Sequence, residues 1–365
     1  MDSAFYLPVL KTKEGEFTAL SNLNAFTRKH ICPLFDVTPM EFDNQSGKKP
    51  KTLEEHLHNF CHKKFLKKWL SSHCFIDAHQ LDGQQVNNLS CLEYIYSHLA
   101  SGMLIPIIPA PVIRVKPTVQ ELAAMQNITR QYQIEEIGLR VKIEDITAAS
   151  FSTNIQATLS QLSFEAQRTH LILDLADSDF SQIEDFSDAI LAILDSFPNF
   201  AAWKSFTICG GAFPKTNFLR KGVNQVPRND WKFYQEVVRK LSGEAYNRPV
   251  NYGDYGIVSP GYFEFDPLKM SRSANIRYTL NDLWYVVKGS ALKNSTDFKQ
   301  YTEQAKGIIQ STFFCGENFS KGDLHLKNCG AGHTTSGNPT VWNWVGNNHH
   351  FTKVVFDLFS SPDDV

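Results

Sequence analysis

The chain has 365 residues, 42% hydrophobic and 20% charged, with a net charge of -2. That length can bury a large core, and the ordinary composition excludes a disordered or fibrous chain. The near-neutral balance argues against wholesale nucleic-acid binding, which leaves a basic footprint.

No apolar run approaches the ~18 residues that span a membrane. The opening MDSAFYLPVLKTKEGEF has no basic region followed by an apolar stretch, so it is not a signal peptide. The cysteines, Cys32, Cys61, Cys74, Cys91, Cys209, Cys315 and Cys329, form no CxxC pair. Several fall in predicted strands or helices, where cysteines act as small buried hydrophobes in a reducing compartment. A cytoplasmic protein is expected.

In chain order, eight short apolar runs each end at a polar or glycine residue and lead into a helix-patterned segment. They are 6–11 (YLPVLK), 31–37 (ICPLFDV), 74–78 (CFIDA), 104–109 (LIPIIP), 137–142 (IGLRVK), 171–175 (LILDL), 206–211 (FTICGG) and 250–255 (VNYGDY). Nearly continuous apolarity fits strands buried on both faces. The rhythm is a repeated βα unit. The expected fold is therefore α/β, a (β/α)8 TIM-like barrel over residues 1–258. Chemistry in such barrels sits at the strand C-terminal ends, which here carry Lys11, Asp36, Asp77, Arg140, Lys142, Asp174, Asp254 and Tyr255.

Between the strands, 52–70 reads as an amphipathic helix with Thr52 as N-cap and Glu55 completing a capping box. Its His56, His58 and His62 lack an accompanying carboxylate signature, so a solvated face outweighs a metal site. Further helices are expected at 92–100, 118–132, 152–162, 186–195 and 231–241. The polar loop 38–51 is long enough to be a flap over the barrel mouth. The loop 214–229 carries Lys215, Arg220, Lys221 and Arg228. It reads equally well as a phosphate-holding loop or a solvated charged one.

From residue 259 the rhythm breaks. Residues 275–287 are strand-like, 297–313 helical, 314–337 a glycine-dense loop and 340–359 a closing helix. Residues 259–365 are expected to form an elaborated C-terminal cap that packs on the barrel, since no flexible linker precedes them.

Three constellations carry candidate chemistry. Asp36, Asp77, Asp174 and Asp254 form a carboxylate ring that suits Mg²⁺, with Arg140 and Lys142 placed to neutralise a phosphate. The same groups also satisfy one another as ion pairs, Asp77 with Lys11 or Asp174 with Arg140. Lys11 could instead form a Schiff base, but nothing else in the chain supports pyridoxal phosphate. Near the C-terminus, His349 or His350 could act as a general base or phosphate donor. The competing view is a helix N-terminus capped by Asn347 or Asn348. The expected site thus comprises Asp36, Asp77, Asp174, Asp254, His349 and His350 as catalytic candidates. Lys11, Lys13, Glu16, Arg140, Lys142, Tyr255 and Arg277 are the ligand-binding candidates. No P-loop, dinucleotide fingerprint, HExxH or GxSxG motif occurs.

The opening YLPVLKTKEGEFTAL followed by ICPLFDVTP resembles the start of Beta-family proteins, whose pattern runs Y-x-P-x-L-K-x-K-x-G-E and then P-L-[IF]-[ED]. The segments NIRYTLNDLWYVVKG and FSKGD with WNWVGNNHHFT resemble that family's C-terminal half. Asp36 stands where members commonly carry Glu, which keeps a carboxylate. The family takes its name from the Beta protein of a satellite-phage locus, Gop–Beta–Cll, similar to a toxin–antitoxin set and implicated in defence against other phages. The resemblance implies a bacterial or prophage-borne immunity role and a protein partner from the same locus. It brings no biochemical activity. The expected function is binding of that partner, or of a phosphate-containing ligand, at the barrel mouth. The alternative is a metal-dependent phosphodiester or nucleotide hydrolase.

Overall fold

A computed structural model describes residues 4–40, 52–70, 72–102, 108–147, 150–194, 197, 200–242, 249–261, 271–293 and 295–360. Eight parallel strands close into a barrel: Leu7–Leu10, Leu34–Asp36, Phe75–Asp77, Ala110–Arg114, Ile137–Lys142, Thr169–Asp174, Ser205–Cys209 and Val250–Asp254. Each pairs with the next, and the eighth closes on the first with Leu7 opposite Gly253. The chain is a (β/α)8 barrel with an elaborated C-terminal extension.

Strand periodicity sorts the side chains. Leu7, Val9, Leu34, Phe75, Val112 and Ile172 fill the barrel interior. Leu10, Phe35, Ile76, Leu139 and Leu173 join the larger cluster shared with the surrounding helices. Gly138 makes the interior possible: a Cβ there would lie 3.0 Å from Val112 and 3.2 Å from Phe75.

The fourth strand departs from expectation. It is Ala110–Arg114 and not 104–109. Pro106 and Pro109 lack the N–H groups a central strand donates, while PVIR supplies donors at all but one position. Residues 104–107 lie outside the described residues, as does 41–51, most of the expected flap. The helix expected at 52–70 has the Thr52–Glu55 capping box. It is interrupted by a π-helix at Asn59–Phe65. The helix-patterned segment after the first strand is split into two short helices, Glu14–Ser21 and Ala25–His30.

The charged loop 214–229 contains a strand, Gly222–Pro227, on the edge of a three-stranded antiparallel sheet. Its partner is Leu283–Ala291, which also pairs with Ser273–Thr279. The glycine-dense stretch 314–337 likewise holds a helix, Lys321–Gly330, capped by Ser320. Gly322 is needed there because a Cβ would collide with the Val345 carbonyl of the last helix.

That last helix, Pro339–Phe359, starts at Asn338, whose side chain accepts from the Thr340 and Val341 N–H groups. It packs against Glu14–Ser21, Lys321–Gly330 and Ser273–Thr279, on the flank where the first and eighth strands meet. Among the described residues no helix is long and apolar enough to cross a membrane. All seven cysteines are free, and only Cys315 is exposed.

Candidate functional site

The inward face of the fifth strand reads Gly138, Arg140, Lys142, so Arg140 enters the barrel at its C-terminal end. Arg140 is 3% exposed and its guanidinium is completely engaged. Nε and Nη2 donate to Asp174 Oδ2 at 2.9 and 2.6 Å. Nη1 donates to Asp77 Oδ2 at 2.8 Å and to Asp36 Oδ2 at 3.4 Å. Nη2 also reaches the Tyr255 hydroxyl at 3.0 Å, which in turn donates to Asp174 at 2.8 Å. Strand ends from four other parts of the sequence therefore meet on one cation. Burial pushes the Asp36 carboxyl up, against the pull of Arg140. Asp77 is buried too, yet His79 and Arg140 hold it well below the usual carboxylate range.

Lys11 also points toward the mouth, but Nζ donates to the Ser259 and Gly261 carbonyls, both at 2.7 Å. Burial lowers its pKa to about 8. Lys13 and Glu16 serve the local helix: the Lys13 N–H donates to Glu16 Oε2 at 2.8 Å. Glu16 is buried and its pKa raised by that burial. Lys142 lies half-buried at the rim, its N–H held by Asp145 at 3.0 Å.

Asp254 does not join the ring. Adjacent strand residues face opposite ways, so with Tyr255 at the mouth Asp254 must point outward. There it accepts from Tyr6 Oη at 2.5 Å and meets His350 Nε2 at 2.8 Å. The other His350 nitrogen meets Thr279 Oγ1 at 2.9 Å. Burial lowers the His350 pKa despite Asp254. His349 faces away from the barrel, to Asp323 Oδ2 at 2.9 Å and the Thr279 carbonyl at 2.8 Å. Asn347 and Asn348 are not caps: both sit inside the helix, and Asn348 bridges the Ala19 carbonyl and the Gly322 N–H. Neither histidine reaches the mouth.

Arg277 lies at the seam between hairpin and barrel loops, donating to the Ile257 carbonyl and Thr216 Oγ1 at 3.1 and 3.2 Å. Burial lowers its pKa to about 10. The cations of 214–229 do not converge. Lys215, Arg220 and Lys221 are exposed, whereas Arg228 is buried and donates to the Leu280 and Asn281 carbonyls.

The segments singled out in the sequence thus meet in space. YLPVLK forms the first strand, EGEFTALS the helix after it, and WNWVGNNHHFT the helix clasped to both. A family model described as Beta protein matches residues 6–356. The chain belongs to the Beta protein family. No curated protein matches it.

Sequence reasoning missed one mouth residue of this Beta-family chain. His79 sits in the short turn His79–Leu81 directly after the third strand. Its Nδ1 lies 2.9 Å from Asp77 Oδ1, which also accepts the His79 N–H at 3.0 Å. Gln80 donates to Asp36 Oδ1 at 2.8 Å. The signal was the Asp-x-His spacing at a strand end, in a loop where barrels place their chemistry. Beside it opens a cavity of about 320 Å³ lined by Asp77, His79, Asp82, Gln84, Arg114 and Glu121 among others.

The three mouth carboxylates do not fit Mg²⁺ as they stand, because the Arg140 guanidinium lies among them. Among the described residues no group of three His, Cys, Asp or Glu is arranged to hold a metal ion. The histidines of 52–70 are not simply solvated either. His62 Nε2 lies 2.9 Å from His98 Nδ1, and the His58 ring packs on His62. His56 Nε2 meets the Thr38 carbonyl at 2.9 Å.

Proposed function

We propose that this Beta-family chain is a component of a bacterial or prophage-borne anti-phage defence system of toxin–antitoxin type. It acts by binding at the barrel mouth, taking a partner from the same locus or a phosphate-containing ligand. The defence role draws support from the motif resemblance to the Gop–Beta–Cll protein. The binding role draws support from one observation: Arg140 occupies the space among Asp36, Asp77 and Asp174 that a catalytic cation would take. A metal-dependent phosphodiester hydrolase, the second reading, would need those carboxylates open.

The test is co-expression with the neighbouring genes, phage challenge and co-purification, comparing wild type with the rim variants Lys142→Glu and His79→Gln. The expected result is loss of protection and of the co-purified partner or ligand, with folding intact. Full protection by both variants would remove the mouth as the functional surface. Mg²⁺-dependent phosphodiester cleavage by the purified protein would favour the hydrolase.

A further inference from the structure

The arrangement of His79 fixes its chemistry. Asp77 is an acceptor at both oxygens: Oδ2 accepts a hydrogen bond from Arg140 Nη1 at 2.8 Å and Oδ1 faces His79 Nδ1 at 2.9 Å. An ionised carboxylate has no proton to give, so Nδ1 must be the donor. Neutral His79 therefore carries its lone pair on Nε2. That nitrogen has no protein partner among the described residues, while the side chain is 16% exposed and lines the 320 Å³ cavity. Asp77 in turn is anchored by a buried arginine, so the ring orientation is set from behind.

The cavity wall is rich in acids. Asp82 and Glu121 share Arg114, whose Nη2 is 2.5 Å from each, and Glu93 and Asp77 add further carboxylates. Gln84, Gln85 and Asn88 offer neutral amides. Such a wall repels a phosphate and accepts an uncharged or cationic polar group.

We propose that His79 is a general base acting on an uncharged or cationic ligand bound in this side cavity. Nε2 takes a proton from a ligand hydroxyl, or from a water attacking a ligand carbonyl. Asp77 stabilises the resulting imidazolium and stays ionised. This rests on the binding role proposed for the mouth but goes beyond it in the ligand, since the acidic wall of this side cavity does not take the phosphate proposed there. The charged and titratable groups facing His79 are Asp77, Asp36, Asp82 and Arg140. Burial disfavours charge on the ring, but the hydrogen bond and charge of Asp77 outweigh it and raise the His79 pKa.

The probe is p-nitrophenyl acetate, an uncharged ester, with p-nitrophenyl phosphate as the anionic counterpart. Water attacks the ester carbonyl as Nε2 takes its proton. The bond to the nitrophenolate then breaks, and the proton passes to solvent. Purified wild type should hydrolyse the acetate with a rate that rises through one pKa above the ordinary histidine value, and leave the phosphate intact. His79→Gln, which keeps a donor toward Asp77, should lower the rate about a hundredfold. Nitrogen NMR of the wild-type ring should place the neutral-form proton on Nδ1, which needs no variant. An unchanged rate in His79→Gln, a proton on Nε2, or cleavage of the phosphate alone would each overturn the assignment. None of these readouts involves phage protection, so the defence reading stands or falls separately.

Discussion

Arg140 grips a single oxygen of Asp174 with two nitrogens, at 2.6 and 2.9 Å, and Tyr255 bonds the same carboxylate at 2.8 Å. A lone ammonium cannot reproduce that fork. The rest of the mouth is assembled around it, since Asp77 and Asp36 meet the same guanidinium.

Removing one partner of a buried ion pair leaves the others charged and desolvated, which costs about 3–5 kcal/mol. Arg140→Gln is therefore expected to destabilise the fold by that order, and Arg140→Lys to recover only part of it. Denaturant melts of the three proteins check this. Equal stability of Lys and wild type would mean the fork geometry is unimportant.

Asp230 supplies a pH-dependent test away from the mouth. Burial, then the charge of Asp254, raises its pKa to about 7. A carboxyl whose folded pKa exceeds its unfolded value binds its proton more tightly in the folded state. Its effect is thus to reduce stability as pH rises from about 4 to about 7, and then to level off. Asp230→Asn should stabilise the protein by on the order of a few kcal/mol at pH 8 and hardly at all near pH 4. Thermal melts across that range decide it. A gain that is the same at both ends would contradict the shift.

Much of the barrel was legible because strands buried on both faces leave apolar runs that local reading detects. Seven of the eight strands overlap their runs. The fourth slipped because LIPIIP is as apolar as PVIR and only its prolines argue against it. The site was half legible for a similar reason. The charges at strand ends were visible, but reading Asp254 and Tyr255 as facing one opening ignored the period of two. Gly222–Pro227 was hidden because its partner, Leu283–Ala291, lies some sixty positions on. His79 was hidden because nothing in a loop's composition distinguishes a pocket residue from a solvated one.

The interior itself can be tested at Gly138. A Cβ there would meet Val112 and Phe75 at 3.0 and 3.2 Å, closer than side chains ordinarily pack. Overpacking of this kind costs about 1–3 kcal/mol. Gly138→Ala should fall in that range and Gly138→Val above it, while Phe75→Leu in the same chain should restore part of the loss. Additive losses in the double variant would show that Phe75 does not limit the space.

The histidine clasp is the last test. His350 holds Asp254 at 2.8 Å, and His349 holds Asp323 at 2.9 Å on the opposite side. One helix thereby ties the barrel flank to the helix Lys321–Gly330, with Asn348 adding the Ala19 carbonyl. His350→Ala leaves buried Asp254 with Tyr6 and the Gly256 N–H among the described residues, and losing this hydrogen bond to a buried carboxylate costs about 1–3 kcal/mol. If the extension and barrel form one cooperative unit, as this seam leads us to propose, His350→Ala should lower a single melting transition. Limited proteolysis should then degrade both halves together. A second transition, or release of a stable folded fragment spanning 271–360, would mean that the two parts fold independently and that the clasp only docks them.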